Sequence, residues 1–203
     1  ERPFVARELV PYGTPMSADL LNALDLRLQE RTLEDASLAP IARLLRVGDL
    51  VVRGDLQYER YHLARPRMVW QLVKRAPGLG EPVEMTGPYV NRPPSRLPMQ
   101  DEVWLLEERD LPDGPAVAVV DVDDVPGIVD VKPASGAVLL SGDGAGMVDA
   151  AGAGVIDGTE LIRYSASLDA AEVAIEMARG ASLVVTDGNR DRGERWGSLR
   201  RRR

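Results

Sequence analysis

AVLLSGDGAGMVDAAGAGVIDGTELIRYSASLDAAEVAIEMARGASLVVTDGNRDR, residues 137–192, is the stretch that decides the fold. It opens on a short apolar run, Ala137 to Ser141, which stops at a glycine-rich turn, Gly142 to Gly146. A second strand is predicted over Glu160–Tyr164 and a third over Ser182–Thr186, with a helical segment between each pair. Asp169 and Glu172 stand in the spacing of a capping box, and Gly180 ends the helix they start. Strands that alternate with helices argue for βαβ units and a parallel sheet. Ligands of such sheets bind beyond the carboxyl ends of the strands. Those ends carry Asp143, Ser165, Ser167, Asp187 and Asn189, so the sequence nominates a polar rim before it nominates a reaction.

Upstream of this unit the patterning changes. Ala116–Val122 and Ile128–Val131 read as strands separated by Pro126-Gly127, and Val103–Leu106 reads as another, so antiparallel pairing is expected ahead of the parallel part. Residues 77–100 hold so many prolines and glycines that no long regular element fits, and the main boundary is placed there. The expected class is therefore α/β in three stretches: a helix-rich α/β part over 1–76, a Pro/Gly-rich linker over 77–100, and over 101–203 a domain whose β-strands lead into a small parallel βαβαβ, Rossmann-like unit.

The N-terminal part has its own punctuation. Leu20, Leu21, Leu24 and Leu28 recur at helical spacing behind Ser17, an expected N-cap, with Asp19 in the first turn where the helix dipole favours a carboxylate. A shorter helix is predicted from Ser37, with Pro40 in its first turn and Gly48 as its stop, running into a strand over Asp49–Arg53. Pro66 suits the first turn of a third helix, which buries Val69, Leu72 and Val73.

Composition excludes several functions. With no cysteine, disulfides, thiolate catalysis and cysteine zinc sites are ruled out, and the single histidine, His62, rules out a multi-histidine metal site. A net charge of −7 argues against nucleic acid as a partner, the basic Arg200–Arg203 end being local. No apolar run reaches the length of a membrane span. The opening Glu1-Arg2-Pro3-Phe4, without an initiator Met, reads as that of a piece of a longer protein.

Three motifs carry candidate chemistry. Gly142-Asp143-Gly144-Ala145-Gly146-Met147 follows a strand and precedes a helix, as a phosphate-cradling turn does. The dinucleotide fingerprint wants glycine where Met147 stands, no Walker lysine follows, and Asp143 has the wrong charge for an anion, so a tight strand-to-helix turn is the expectation. Asp121-Val122-Asp123-Asp124 has the D-x-D spacing that holds a divalent cation on a sugar nucleotide, and alternation sends Asp121 and Asp123 to one face, toward solvent. Thr186-Asp187-Gly188-Asn189-Arg190 could bind sugar hydroxyls or simply turn the chain. Aromatic faces for a sugar could come from Tyr58, Tyr61 or Trp70, whereas His62 has no serine or carboxylate pattern to make it a base.

Several segments in order resemble one family. They are Arg2–Gly13 (RPFVARELVPYG), Ser17–Asp25 (SADLLNALD), Gly48–Tyr61 (GDLVVRGDLQYERY), Ser141–Gly144, Tyr164–Ser167 and Leu183–Arg190 (LVVTDGNR). Together they look like the extracytoplasmic part of the actinobacterial, mycobacterial alpha-(1->3)-arabinofuranosyltransferases, over nearly the whole chain. The resemblance implies a polytopic membrane parent of glycosyltransferase superfamily C, acting in the assembly of cell-wall arabinan (arabinogalactan and lipoarabinomannan) from a polyprenyl-phosphate arabinose donor. It implies a catalytic carboxylate in loops among membrane helices, so no catalytic residue is carried onto this chain and no cofactor is expected in it. The chain is then expected at the extracytoplasmic (periplasmic) face, supporting the parent's membrane domain or holding acceptor arabinan. A non-catalytic interaction module and a metal-dependent sugar-nucleotide transferase using Asp121 and Asp123 are the alternatives.

Overall fold

The computed structural model describes residues 15–58, 63–91 and 111–186. Helix α1 (Pro15–Gln29) is followed by a 3-10 turn (Asp35–Ser37), α2 (Leu38–Leu44), strand β1 (Asp49–Arg53) and α3 (Pro66–Arg75). Then come β2 (Val83–Glu84), β3 (Val117–Asp121), β4 (Val138–Ser141), α4 (Gly144–Gly152), β5 (Ile162–Tyr164), a 3-10 turn (Ser165–Ser167), α5 (Ala170–Ala178) and β6 (Ser182–Val185). The class is α/β, with two three-stranded sheets among the described residues.

The parallel unit forms as the sequence predicts. Its order is β5-β4-β6, and both neighbours run parallel to the central strand, with Leu140 beside Tyr164 on one side and Val184 on the other. Alternation along β4 divides the core. Val138 and Leu140 face α1, α2 and α4, where they meet Leu20, Ile41, Met147 and Val148. Ala137 and Leu139 face α5, meeting Ala181 and Val173. Leu139 and Leu140 are both fully buried, each contributing about 1.5–3 kcal/mol of transfer free energy.

The other sheet is antiparallel in the order β1-β3-β2, with Val51 opposite Val119 and Val83 opposite the same residue. It thus joins strands from both sides of the proline-rich stretch, and β2 lies within that stretch. Its inner face packs Val52, Ala118 and Val120 on Trp70 and Val73 of α3, a helix that opens on Pro66 as expected.

Three local expectations are corrected. α1 begins at Pro15, which places Ser17 in its first turn rather than at its cap. α2 is stopped by Arg46, in the left-handed region at φ 59°, before Gly48 is reached. Residues 128–131 form no strand. Asp124, at φ 57°, turns the chain away from β3, the neighbouring places beside β3 are taken by β1 and β2, and Asp130 is drawn instead to Arg46 and Lys132. The expected strand over 103–106 lies outside the described residues.

Candidate functional site

The carboxyl ends of β4, β5 and β6 meet at one edge of the parallel sheet. Since β5 and β6 flank β4 on opposite sides, this edge is the topological switch point of the unit. The turn after β4 is built by close approach. A side-chain carbon on Gly142 or Gly146 would overlap the Thr186 hydroxyl, and one on Gly144 would lie 2.6 Å from the Leu20 Cα. Glycine is therefore required for the turn to admit both the end of β6 and the backbone of α1.

Thr186 closes this corner. Its amide donates to the Ser141 carbonyl at 3.0 Å and its hydroxyl donates to the same oxygen at 3.3 Å. Asp143 is the N-cap of α4 and accepts from the Gly146 amide at 2.9 Å. Asp19, reaching across from α1, accepts from the Gly144 amide at 2.6 Å. Two carboxylates thus occupy the helix N-terminus, which satisfies donors that have no partner within the helix and offsets its positive dipole end. The turn is the tight strand-to-helix connection expected, with its amides already committed to protein carboxylates rather than held open for a phosphate.

Tyr164, the last residue of β5, stands half-buried beside this pair. Burial raises its phenol pKa above the ordinary value, and the charges of Asp19 and Asp143 raise it further. A neutral phenol next to two carboxylates is a hydrogen-bond donor held in its protonated form. Ser165, half-buried, and Ser167, exposed, follow in the 3-10 turn; the Ser167 hydroxyl donates to the Tyr164 carbonyl at 2.7 Å. The arrangement presents hydroxyls and carboxylate oxygens together, a surface able to exchange hydrogen bonds with a polyhydroxylated ligand.

Of the residues nominated from sequence, Asp143, Ser165 and Ser167 come together here. Asp187, Asn189 and Tyr61 lie outside the described residues, as does His62. Tyr58 is half-buried in the segment after β1, away from this edge, its amide donating to the Leu56 carbonyl at 2.8 Å. Trp70 is a core residue, 5% exposed, with Gly114 backed against its indole and the Lys74 ammonium 5.9 Å from its ring centre. Burial in the antiparallel layer removes it from the rim. Asp121 and Asp123 are both exposed at the end of β3, as alternation predicts, and no three His, Cys, Asp or Glu residues among those described converge on a metal position. Sequence reasoning missed Asp19 and Tyr164 as members of the site, and held Thr186 only as the first residue of its strand-end motif. The strand-end rule that found Ser165 also covers Tyr164 and Thr186, whereas the reach of Asp19 across to α4 has no local signal.

The family model described as alpha-(1->3)-arabinofuranosyltransferase, N-terminal GT-C domain, matches residues 1–203. No curated protein and no solved structure matches the chain.

Proposed function

The chain belongs to the alpha-(1->3)-arabinofuranosyltransferase family as part of its N-terminal GT-C domain, and from that premise we propose that it is an extracytoplasmic module that holds acceptor arabinan near the catalytic centre during cell-wall arabinan assembly. The centre itself and the polyprenyl-phosphate arabinose donor belong to the membrane domain of the parent. No helix among the described residues is long and apolar enough to cross a membrane. The observation that carries the reading is the polar edge at the switch point, where Tyr164, Ser165, Ser167 and Asp143 gather hydroxyl and carboxylate groups on a rigid parallel sheet.

The test is a chemical-shift titration with short arabinofuranosyl oligosaccharides. Weak binding is expected, in the millimolar range that corresponds to about −4 kcal/mol. Shifts clustered at Asp143, Tyr164 and Ser165, weakened severalfold by Tyr164→Phe, support the reading. An unperturbed spectrum at tens of millimolar sugar refutes it. A second reading, a module that only supports the membrane domain, draws on the same geometry: Asp19 and Asp143 are already used as helix caps, so part of the polar edge serves the fold.

A further inference from the structure

Among the described residues β6 pairs with β4 alone, so no strand lies along its outer edge. The amides of Ser182 and Thr186 donate to the Ala137 and Ser141 carbonyls on the β4 side, and alternation turns the amides of Leu183 and Val185 outward. The side chains at these two positions are 50% and 66% exposed. Parallel strands are ordinarily covered, and an apolar edge is a template for one more strand.

Helix α1 says which strand that is. Its Asp19 accepts from the Gly144 amide at the start of α4, and further along its Arg27 meets Asp149 of α4 at 2.6 Å. The two helices therefore run side by side in one direction, away from the carboxyl edge of the sheet, and they pack Leu20, Met147 and Val148 on the same face of β4. This is the course of a helix that follows a parallel strand, so the chain just before Pro15 reaches the carboxyl edge, where such a strand would end. Handedness fixes the side. From β4 the chain crosses through α4 to β5 on one flank, and from β5 it returns through α5, on the opposite face, to β6 on the other flank. Opposite directions on opposite faces give both crossovers one hand, and that hand is right in about 98% of such connections. A strand that leads through α1 to β4 uses the face of α4, and must step across the sheet in the direction of β4 to β5. It starts beyond β6.

We infer that the outer edge of β6 is a strand-docking site and that its occupant is Phe4–Val10 of this chain, which lies outside the described residues, laid parallel to β6. Phe4-Val5-Ala6 and Leu9-Val10 supply apolar residues suited to a strand, and Arg7-Glu8 the charges that edge strands carry. Pro11–Thr14 then joins it to α1, within the roughly two to six residues usual for a strand-to-helix link. Docking makes β6 an interior strand and covers the flank of Leu183 and Val185.

The test is amide hydrogen exchange read by NMR on the 203-residue chain. The Leu183 and Val185 amides should be protected like that of Val184, which faces β4, and Overhauser contacts should join residues 4–10 to 182–185. Proline has no amide hydrogen to pair, so the double variant Glu8→Pro, Leu9→Pro should lose the protection at 183 and 185 and keep it at 184. Fast exchange at 183 and 185 in the unmodified chain overturns the inference, as does protection there that survives the double variant. Protection that rises with protein concentration also overturns it, by making a second copy the occupant. If the double variant unfolds, the contacts in the unmodified chain decide, and their absence between 4–10 and 182–185 overturns the inference.

Discussion

Replacing Gly144 by alanine tests the seam on which the candidate site is built. The new methyl carbon would lie 2.6 Å from both the Cα and the amide nitrogen of Leu20 and 2.7 Å from the Asp19 carbonyl carbon. Carbon atoms rest about 3.5–4 Å apart, and all three obstacles are backbone, so no side-chain rotation relieves the clash. α1 has to move off α4 by about 1 Å. Overpacking of this kind costs about 1–3 kcal/mol. The displacement also breaks the 2.6 Å bond from the Gly144 amide to Asp19, for which the exposure of Asp19 argues the low end of the charged range, about 1.5 kcal/mol. Alanine returns at most about 1 kcal/mol through helix propensity. The net loss is therefore about 2–4 kcal/mol, a large share of the 5–15 kcal/mol typical of a domain. Urea unfolding followed by circular dichroism reads it as a lower midpoint at unchanged slope. Gly48→Ala supplies the contrast, since nothing lies within 4 Å of the place its methyl would take and its backbone is ordinary; it should leave stability unchanged or raise it by up to about 1 kcal/mol. If the two variants unfold at the same urea concentration, the close approach of α1 to the turn is wrong.

Other parts of the chain yield separate expectations. Asp169→Ala removes one half of the box at the start of α5, the bond from the Glu172 amide to the Asp169 carboxylate at 2.8 Å, and leaves the backbone amide of residue 169 free to keep donating to Glu172; urea unfolding should show a loss of about 0.5–2 kcal/mol. Glu176→Leu should be neutral or stabilising in the same assay, because Glu176 is buried with one carboxylate oxygen unpartnered, while its partners Arg163 and Arg179 are about half exposed and can rehydrate. Tyr164 should titrate above ordinary tyrosine, visible as a late phenolate absorbance step that Tyr164→Phe removes. With the folded pKa raised, the native state holds a proton that the unfolded chain has lost, so the stability it contributes is complete below about pH 10 and disappears as pH rises through the folded value.

Local signals were enough for the parallel unit. Apolar runs of four or five residues, the Asp169–Glu172 spacing and the stop at Gly180 specify elements that need no distant partner to be recognised, and each formed within a residue or two of its expected place. Prediction failed where a distant element decides. Ile128-Val129-Asp130-Val131 has the β-branched composition of a strand, but a strand exists only beside an edge, and β3 gives its two edges to β1 and β2. Residue type alone reads Trp70 as an aromatic face for a sugar. Yet a helix crossing an antiparallel sheet needs a large apolar side chain, and the chain supplies few others.

The same division runs through the site. Asp143 could be placed by reading strand, turn and helix in order, and its negative charge already argued against a phosphate in the turn. The stronger argument is tertiary. Asp19 sits in the first turns of a different helix, more than a hundred residues away, yet its carboxylate reaches the first amide of α4. A phosphate at that helix end would have to displace both Asp19 and Asp143 and then face their charges at close range. At 4 Å and an effective dielectric of about 20, each such repulsion is about 4 kcal/mol. A neutral polyol meets no such barrier: the carboxylates can accept from its hydroxyls, and the protonated Tyr164 beside them can donate. The electrostatics that disfavour a phosphate at this corner thus raise no such barrier to the uncharged acceptor glycan proposed above.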